Sequence, residues 1–271
     1  MTAATSRAIA TAPLVLYGQT FQSRLLLGTS RYPSPSVLKA AVQRAKPAML
    51  TASLRRQNVS DPDTSNRFWE LLRELEVPVL PNTAGCHSVQ EVITTAQMAR
   101  EVFATPWIKL ELIGDDYTLQ PDTLNLVDAA QRLIKDGFKV LPYCTDDLVS
   151  AQRLVDAGCR ILMPWAAPIG SGLGLLNPWA LRTLRARLPH ITLIVDAGLG
   201  APSHATAAME LGMDAVLLNS AVSQSHNPVG MASAFRHAVQ GGREGILSGL
   251  MPSSDMAVAT TPVGGQPFVL L

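Results

Sequence analysis

Charge is scarce in this sequence: 16% of its 271 residues are Asp, Glu, Lys or Arg, and the 22 basic and 21 acidic side chains nearly cancel. That balance, with no basic run interleaved with aromatics, argues against a nucleic-acid surface, so any bound anion must be held locally. The 3 cysteines, Cys86, Cys144 and Cys159, are widely spaced and form no CxxC pair, which excludes a disulfide framework and a zinc-finger site. No HxH, HExxH or EF-hand spacing is present either. No apolar run approaches the ~20 residues that span a bilayer. A cytoplasmic chain with neither metal nor cofactor is the expectation. Residues 1–20 hold one Arg and no acidic group. They read as a frayed start rather than a transit peptide.

What the sequence does hold is repetition. Short apolar segments at about residues 25–29, 49–54, 77–82, 107–115, 139–144, 160–165, 192–198 and 215–220 read as buried strands. Between and after them come helical patterns at about 34–45, 67–75, 88–101, 121–135, 146–157, 178–187, 202–211 and 228–240. Asp146 is expected to cap the fifth helix, and Ser88 with Glu91 to form a capping box on the third. Eight such units predict a (β/α)8 TIM barrel in a single domain, because right-handed crossovers keep the strands parallel and the helices outside. The count disfavours the doubly wound open sheet, the runner-up fold. Residues 1–23 read as an extension and hairpin closing one end, 24–247 as the barrel, and 248–271, rich in Pro, Gly, Ser and Thr, as a mobile tail.

One strand is anomalous. In the run from Trp107 to Asp115, Lys109 and Glu111 share one face, while Ile108, Leu110 and Leu112 share the other. With helices outside, the charged pair must point into the barrel near its C-terminal rim, where barrel enzymes carry their chemistry. An internal ion pair that only fixes packing is the rival reading. Asp196 ends the seventh strand and is either a third member of this group or an anchor for the next helix. The segment from Gly170 to Gly174, the pair Gly198 and Gly200, and Asn219 with Ser220 follow strands six, seven and eight, where barrels bind phosphate. Cys144 reads as a packed thiol, His87, Asp115 and Asp116 as loop and cap residues, and Met209, Met213 and Met231 as core filling. Two positions along a strand separate Cβ atoms by roughly 6.6 Å, so no contact ion pair is forced. Desolvation can therefore win and bring the lysine amine toward neutrality, especially if Glu111 is itself partly protonated.

Taken together, these stretches resemble thiazole synthase, the barrel enzyme family of thiamine biosynthesis. The likeness is carried by Leu25-Leu26-Leu27-Gly28-Thr29, Leu54-Arg55-Arg56, Pro81-Asn82-Thr83-Ala84-Gly85-Cys86, the run from Trp107 to Asp116, Leu141-Pro142-Tyr143, the run from Ala167 to Gly174, Val195-Asp196-Ala197-Gly198 and Ala215 to Asn219. The resemblance implies that Lys109 forms an imine (Schiff base) with 1-deoxy-D-xylulose 5-phosphate and that Glu111 and Asp196 move protons. Gly170, Ala197, Gly198, Asn219 and Ser220 would bind the phosphosugar. It further implies sulfur from a ubiquitin-like sulfur carrier protein, dehydroglycine from a partner enzyme, and a homo-oligomer. Departures are Ser30-Arg31 where Gly-Lys is usual, Cys144 for Thr, Trp165-Ala166 for Leu-Gly, Ser220 for Thr, and the stretch after Gly245. Two alternatives stay open: a Schiff-base phosphosugar aldolase or isomerase, and a non-catalytic scaffold for sulfur carriers. One substitution is expected to be selective: Gly198→Asp, on an exposed loop, should weaken phosphosugar binding far more than folding.

Overall fold

The computed structural model describes residues 12–54 and 62–259. Eight parallel strands, Leu25–Gly28, Met49–Ser53, Val79–Asn82, Trp107–Leu110, Lys139–Cys144, Ile161–Pro164, Thr192–Asp196 and Ala215–Leu218, close into a barrel in chain order, the last pairing with the first. The helices Pro35–Ala45, Pro62–Glu74, Val89–Phe103, Asn125–Lys135, Leu148–Asp156, Pro178–Arg187, Pro202–Glu210 and Pro228–Ser248 follow the successive strands. The fold is therefore a (β/α)8 barrel, as the eight-unit pattern predicts.

The two-residue period of each strand sorts its side chains between two cores. Leu25, Leu27, Leu50, Ile108, Val140, Leu162 and Val195 face outward and pack with the helices. Leu26, Met49, Leu80, Leu141, Met163 and Ile194 fill the barrel interior. A hairpin of Leu14–Leu16 with Gln19–Phe21 inserts Leu14, Leu16 and Phe21 into the interior cluster from the N-terminal end. Trp107 locks it there: its ring meets Tyr17 edge-on at 5.5 Å and Phe21 at 6.3 Å. Full burial of Leu16 stabilises the floor by about 1.5–3 kcal/mol.

Several element boundaries differ from the sequence pattern, each for a local reason. The fourth strand stops at Leu110, and Ile113–Asp115 instead makes an antiparallel ribbon with Gln120–Pro121. Pro121 is thus a strand residue, and Asp122 turns the chain into the following helix by accepting from the amides of Leu124 and Asn125. Asp147, not Asp146, caps the fifth helix, accepting from Ser150 N at 2.7 Å, while Asp146 accepts from Trp165 Nε1 at 3.0 Å. Ser88 caps its helix as expected, but Glu91 reaches the His87 amide rather than that of Ser88. The eighth strand ends at Leu218, and Ser220–Ser223 forms a short helix. The final helix runs through Gly241-Gly242 to Ser248 because it packs so closely on its neighbour that a Cβ at Gly242 would lie 2.7 Å from the Thr206 carbonyl oxygen. Residues 250–259 are without helix or strand. The Arg55-Arg56 motif and residues 1–11 and 260–271 lie outside the described residues.

Candidate active site

Lys109 enters the barrel because its strand neighbours Ile108 and Leu110 take the outward positions. Its Nζ lies 2.6 Å from Asp196 Oδ2 and 3.1 Å from Glu111 Oε1, and the side chains of Lys109, Asp196 and Glu111 are only 7%, 3% and 8% exposed. The sequence pattern leaves room for Lys109 and Glu111 to stay apart; folded, they are in contact. Chain geometry explains this: the strand has ended before Glu111, whose backbone is held by Thr83. The Thr83 hydroxyl donates to Glu111 O at 2.7 Å and accepts from Glu111 N at 2.8 Å, replacing the ladder partners that the third strand no longer supplies.

This contact reverses the expected titration. Burial pulls the lysine amine down, but the charges of Asp196 and Glu111 and their hydrogen bonds together outweigh it, leaving its pKa above the ordinary lysine value. The expectation of a near-neutral amine is therefore corrected: two carboxylates are close enough to overcome desolvation. Asp196 is shifted up as well, first by burial and further by Glu111, against the pull of Lys109. One cation between two carboxylates leaves one buried negative charge uncompensated, so the group holds an additional proton readily. Tyr143 lies beside it, its ring centroid 5.6 Å from Lys109 Nζ and its hydroxyl buried without a hydrogen-bond partner among the described residues.

These groups line a cavity of about 630 Å³ at the C-terminal mouth of the barrel. Lys109, Glu111, Asp196, Gly170, Ala197, Gly198, Asn219 and Ser220 all contribute to its wall. The loops after strands six and seven interlock: Gly174 N donates to Gly198 O at 2.9 Å, and a Cβ at Gly200 would sit 2.4 Å from Gly172 O. Gly198 has φ +72°, is buried, and a Cβ there would lie 2.4 Å from the Ala167 Cβ and 2.6 Å from the Ala167 nitrogen. The expected selectivity of Gly198→Asp is thus overturned, since any side chain at this position strains the backbone and collides with the neighbouring loop. Ala197 adopts the left-handed conformation too, at φ 65°, directly after Asp196. Asn219 holds the eighth loop to the first through Nδ2, which donates to Ser30 O at 3.1 Å and Ser30 Oγ at 2.6 Å.

Sequence reasoning missed Thr51 and Asn82, which line the cavity, and the bracing hydroxyl of Thr83. Inward alternation from Met49 and Leu80 could have found the first two. Arg31 adds a cation to the wall, and His87 lies 3.5 Å from Asp116 at the same mouth. Among the described residues no three His, Cys, Asp or Glu side chains come together as a metal site. Cys144 and Cys159 are buried, and burial pushes both thiols up, Cys159 to about 12, so neither supplies a thiolate nucleophile.

Comparison with known proteins agrees with the barrel fold and names a family. A family model described as thiazole biosynthesis protein ThiG matches residues 15–262. A thiazole synthase of Variovorax paradoxus is 70% identical over 258 residues, covering 94% of both chains. One from Paracidovorax citrulli is 69% identical over 255 residues, again covering 94% of each. The crystal structure of the Amycolatopsis orientalis BexX/CysO complex contains a chain that superposes with a TM-score of 0.79 at 30% identity, covering 90% of this chain and 99% of that one. The chain belongs to the ThiG family of thiazole synthases, enzymes of thiamine biosynthesis.

Proposed function

We propose that the chain condenses 1-deoxy-D-xylulose 5-phosphate, dehydroglycine and carrier-bound sulfur into a carboxylated thiazole phosphate, with Lys109 holding the sugar as an imine. The observation that carries this reading is a lysine amine in a cavity wall with a carboxylate on either side, at 2.6 and 3.1 Å. A protonated amine is no nucleophile, and the carboxylates that hold its proton are also the bases positioned to remove it. Lys109 first passes a proton to Asp196, whose raised proton affinity suits it to accept one. The neutral nitrogen then adds to the sugar ketone, forming the C–N bond as the carbonyl oxygen recovers the proton from Asp196. Glu111 takes the second proton from nitrogen and returns it to the hydroxyl, which leaves as water to give the imine.

Gly170, Ala197, Gly198, Asn219 and Ser220 then hold the sugar phosphate on the glycine-rich side of the cavity. Sulfur arrives as a thiocarboxylate on a small ubiquitin-like carrier; the BexX likeness supports a protein partner, because that chain was solved in complex with CysO. Dehydroglycine comes from a separate enzyme, and the working unit is a homo-oligomer.

Borohydride reduction in the presence of 1-deoxy-D-xylulose 5-phosphate tests the imine. The expected outcome is a secondary amine at Lys109, located by peptide mass spectrometry, and none in Lys109→Arg, which keeps the charge but cannot form the imine. Labelling at another lysine, or equal labelling of the arginine variant, would overturn the mechanism. Adding the thiocarboxylated carrier before reduction should divert the trapped species to a sulfur-containing adduct, which an aldolase or isomerase would not produce.

A further inference from the structure

A second cavity, of about 500 Å³, lies at the opposite, N-terminal end of the barrel. Its wall is built from the strand beginnings at Leu25, Ala48 and Pro78, the hairpin from Gln19 to Ser23, and the last helix at Arg236, Val239, Gln240 and Arg243. The interior residues Leu26, Met49, Leu80, Leu141 and Ile194, all fully buried, fill the barrel between it and Lys109. It is therefore no extension of the active-site mouth.

Its charge is one-sided. Arg24, Lys46, Arg236 and Arg243 line it, and no Asp or Glu does. Among the described residues none of the four has a carboxylate partner within salt-bridge distance: Arg24 donates to the carbonyl oxygens of Asp214 and Ala12, and the Asp214 carboxylate is engaged by Arg185 and the Leu193 amide. The Arg243 Nε is buried and lacks a hydrogen-bond partner among the described residues. Arg24 also feels Arg243 directly, since burial first and then the charge of Arg243 lower its pKa. Four like charges around one cavity, two of them mutually repelling, cost stability unless an anion is taken up. The rest of the wall mixes polar side chains, Gln22, Ser23 and Gln240 among them, with apolar Phe21, Pro47 and Val239.

We infer that this floor cavity is a binding site for an organic phosphate monoester, its phosphate held by Arg24, Lys46, Arg236 and Arg243 and its apolar body resting on Phe21 and Val239. Arginine forks match phosphate geometry, and a cavity of this volume suits a small organic ligand. The site is independent of the reading of Lys109 chemistry, and inorganic phosphate shares only half of the recognition.

Calorimetric titration of the full chain with phenyl phosphate and, separately, with inorganic phosphate tests it. Phenyl phosphate is expected to bind several-fold more tightly, and Lys46→Ala combined with Arg236→Ala to weaken it at least tenfold. Neither side chain makes a hydrogen bond or ion pair among the described residues, and both add to the like-charge repulsion, so the double variant is expected to match or exceed the parent melting temperature without ligand. Arg243→Gln is the second variant, expected to weaken binding by removing the charge while keeping a polar side chain on the helix. Binding confined to the distant mouth would be insensitive to these changes, because charges so far apart are screened at physiological salt. Unchanged affinity in both variants, no detectable binding, or equal affinity for the two anions would each overturn the inference.

Discussion

At the N-terminal end of the barrel Met49, Leu80, Trp107 and Ile194 fill the interior; two residues further along the same four strands the inward positions are Thr51, Asn82, Lys109 and Asp196. One step of the strand period separates a hydrocarbon plug from an ionisable cluster. The lesson is that stability and chemistry are layered along the barrel axis rather than assigned to different elements. The lower layer gains from burial alone. The upper one holds Lys109, Glu111 and Asp196 out of water and is sustained by their mutual contacts.

The sharpest way to break this comparison is to change one residue in each layer. Lys109→Arg should lower thiazole-forming turnover by roughly four orders of magnitude or more, the loss that the proposed imine chemistry predicts when its nucleophile is deleted, measured in a reconstituted synthesis assay. Leu16→Ala, in the floor, should cost about 2–5 kcal/mol of stability, read by denaturant melts, with turnover per folded molecule unchanged. If Leu16→Ala abolished turnover in fully folded protein, the layers would not be separable.

Thr83→Val sharpens the boundary itself. Losing the hydroxyl that bridges both backbone groups of Glu111 should cost about 1–3 kcal/mol and shift the pH profile of turnover as Glu111 moves, whereas a purely structural residue would leave that profile in place. Alkaline titration probes the cluster without mutation. Because the folded pKa of Lys109 is raised, its contribution to stability is full below the unfolded lysine value and is lost as pH rises through the folded one. Stability above pH 10 should therefore fall, with Lys109 contributing up to about 1.4 kcal/mol per pH unit beside the buried tyrosine and cysteine side chains whose pKa values are also raised, and Lys109→Met should make the slope shallower. The smallest effect is expected at Ala197, whose φ of 65° is disfavoured for a side chain. Ala197→Gly should raise stability by up to about 1 kcal/mol, visible as a melting-temperature increase.

Much of this was legible in the sequence because it depends on period. Eight apolar runs separated by helical patterns dictate the barrel, and alternation places Lys109 and Glu111 inside it. Positions such as Gly170, Gly198 and Asn219 follow from where barrels carry their loops. What was hidden depends on contacts between distant segments. Thr83 is an ordinary threonine until the third strand ends beside Glu111. The contact between Lys109 and Glu111, and with it the sign of the lysine's shift, rests on the early end of a strand that reads as nine residues long. Gly198 reads as a loop glycine with room around it, and only the approach of Ala167 shows that it has none.

The buried cysteines have a consequence for chemoselectivity. Cys86, Cys144 and Cys159 are each at most 1% exposed, and the described thiol shifts run upward for Cys144 and Cys159. An enzyme proposed to receive activated sulfur works beside a reagent that could divert into mixed disulfides or persulfides at any accessible thiolate. Here the folded chain offers that reagent an amine and withholds its thiols, so exchange with the donor would proceed only as fast as the barrel opens.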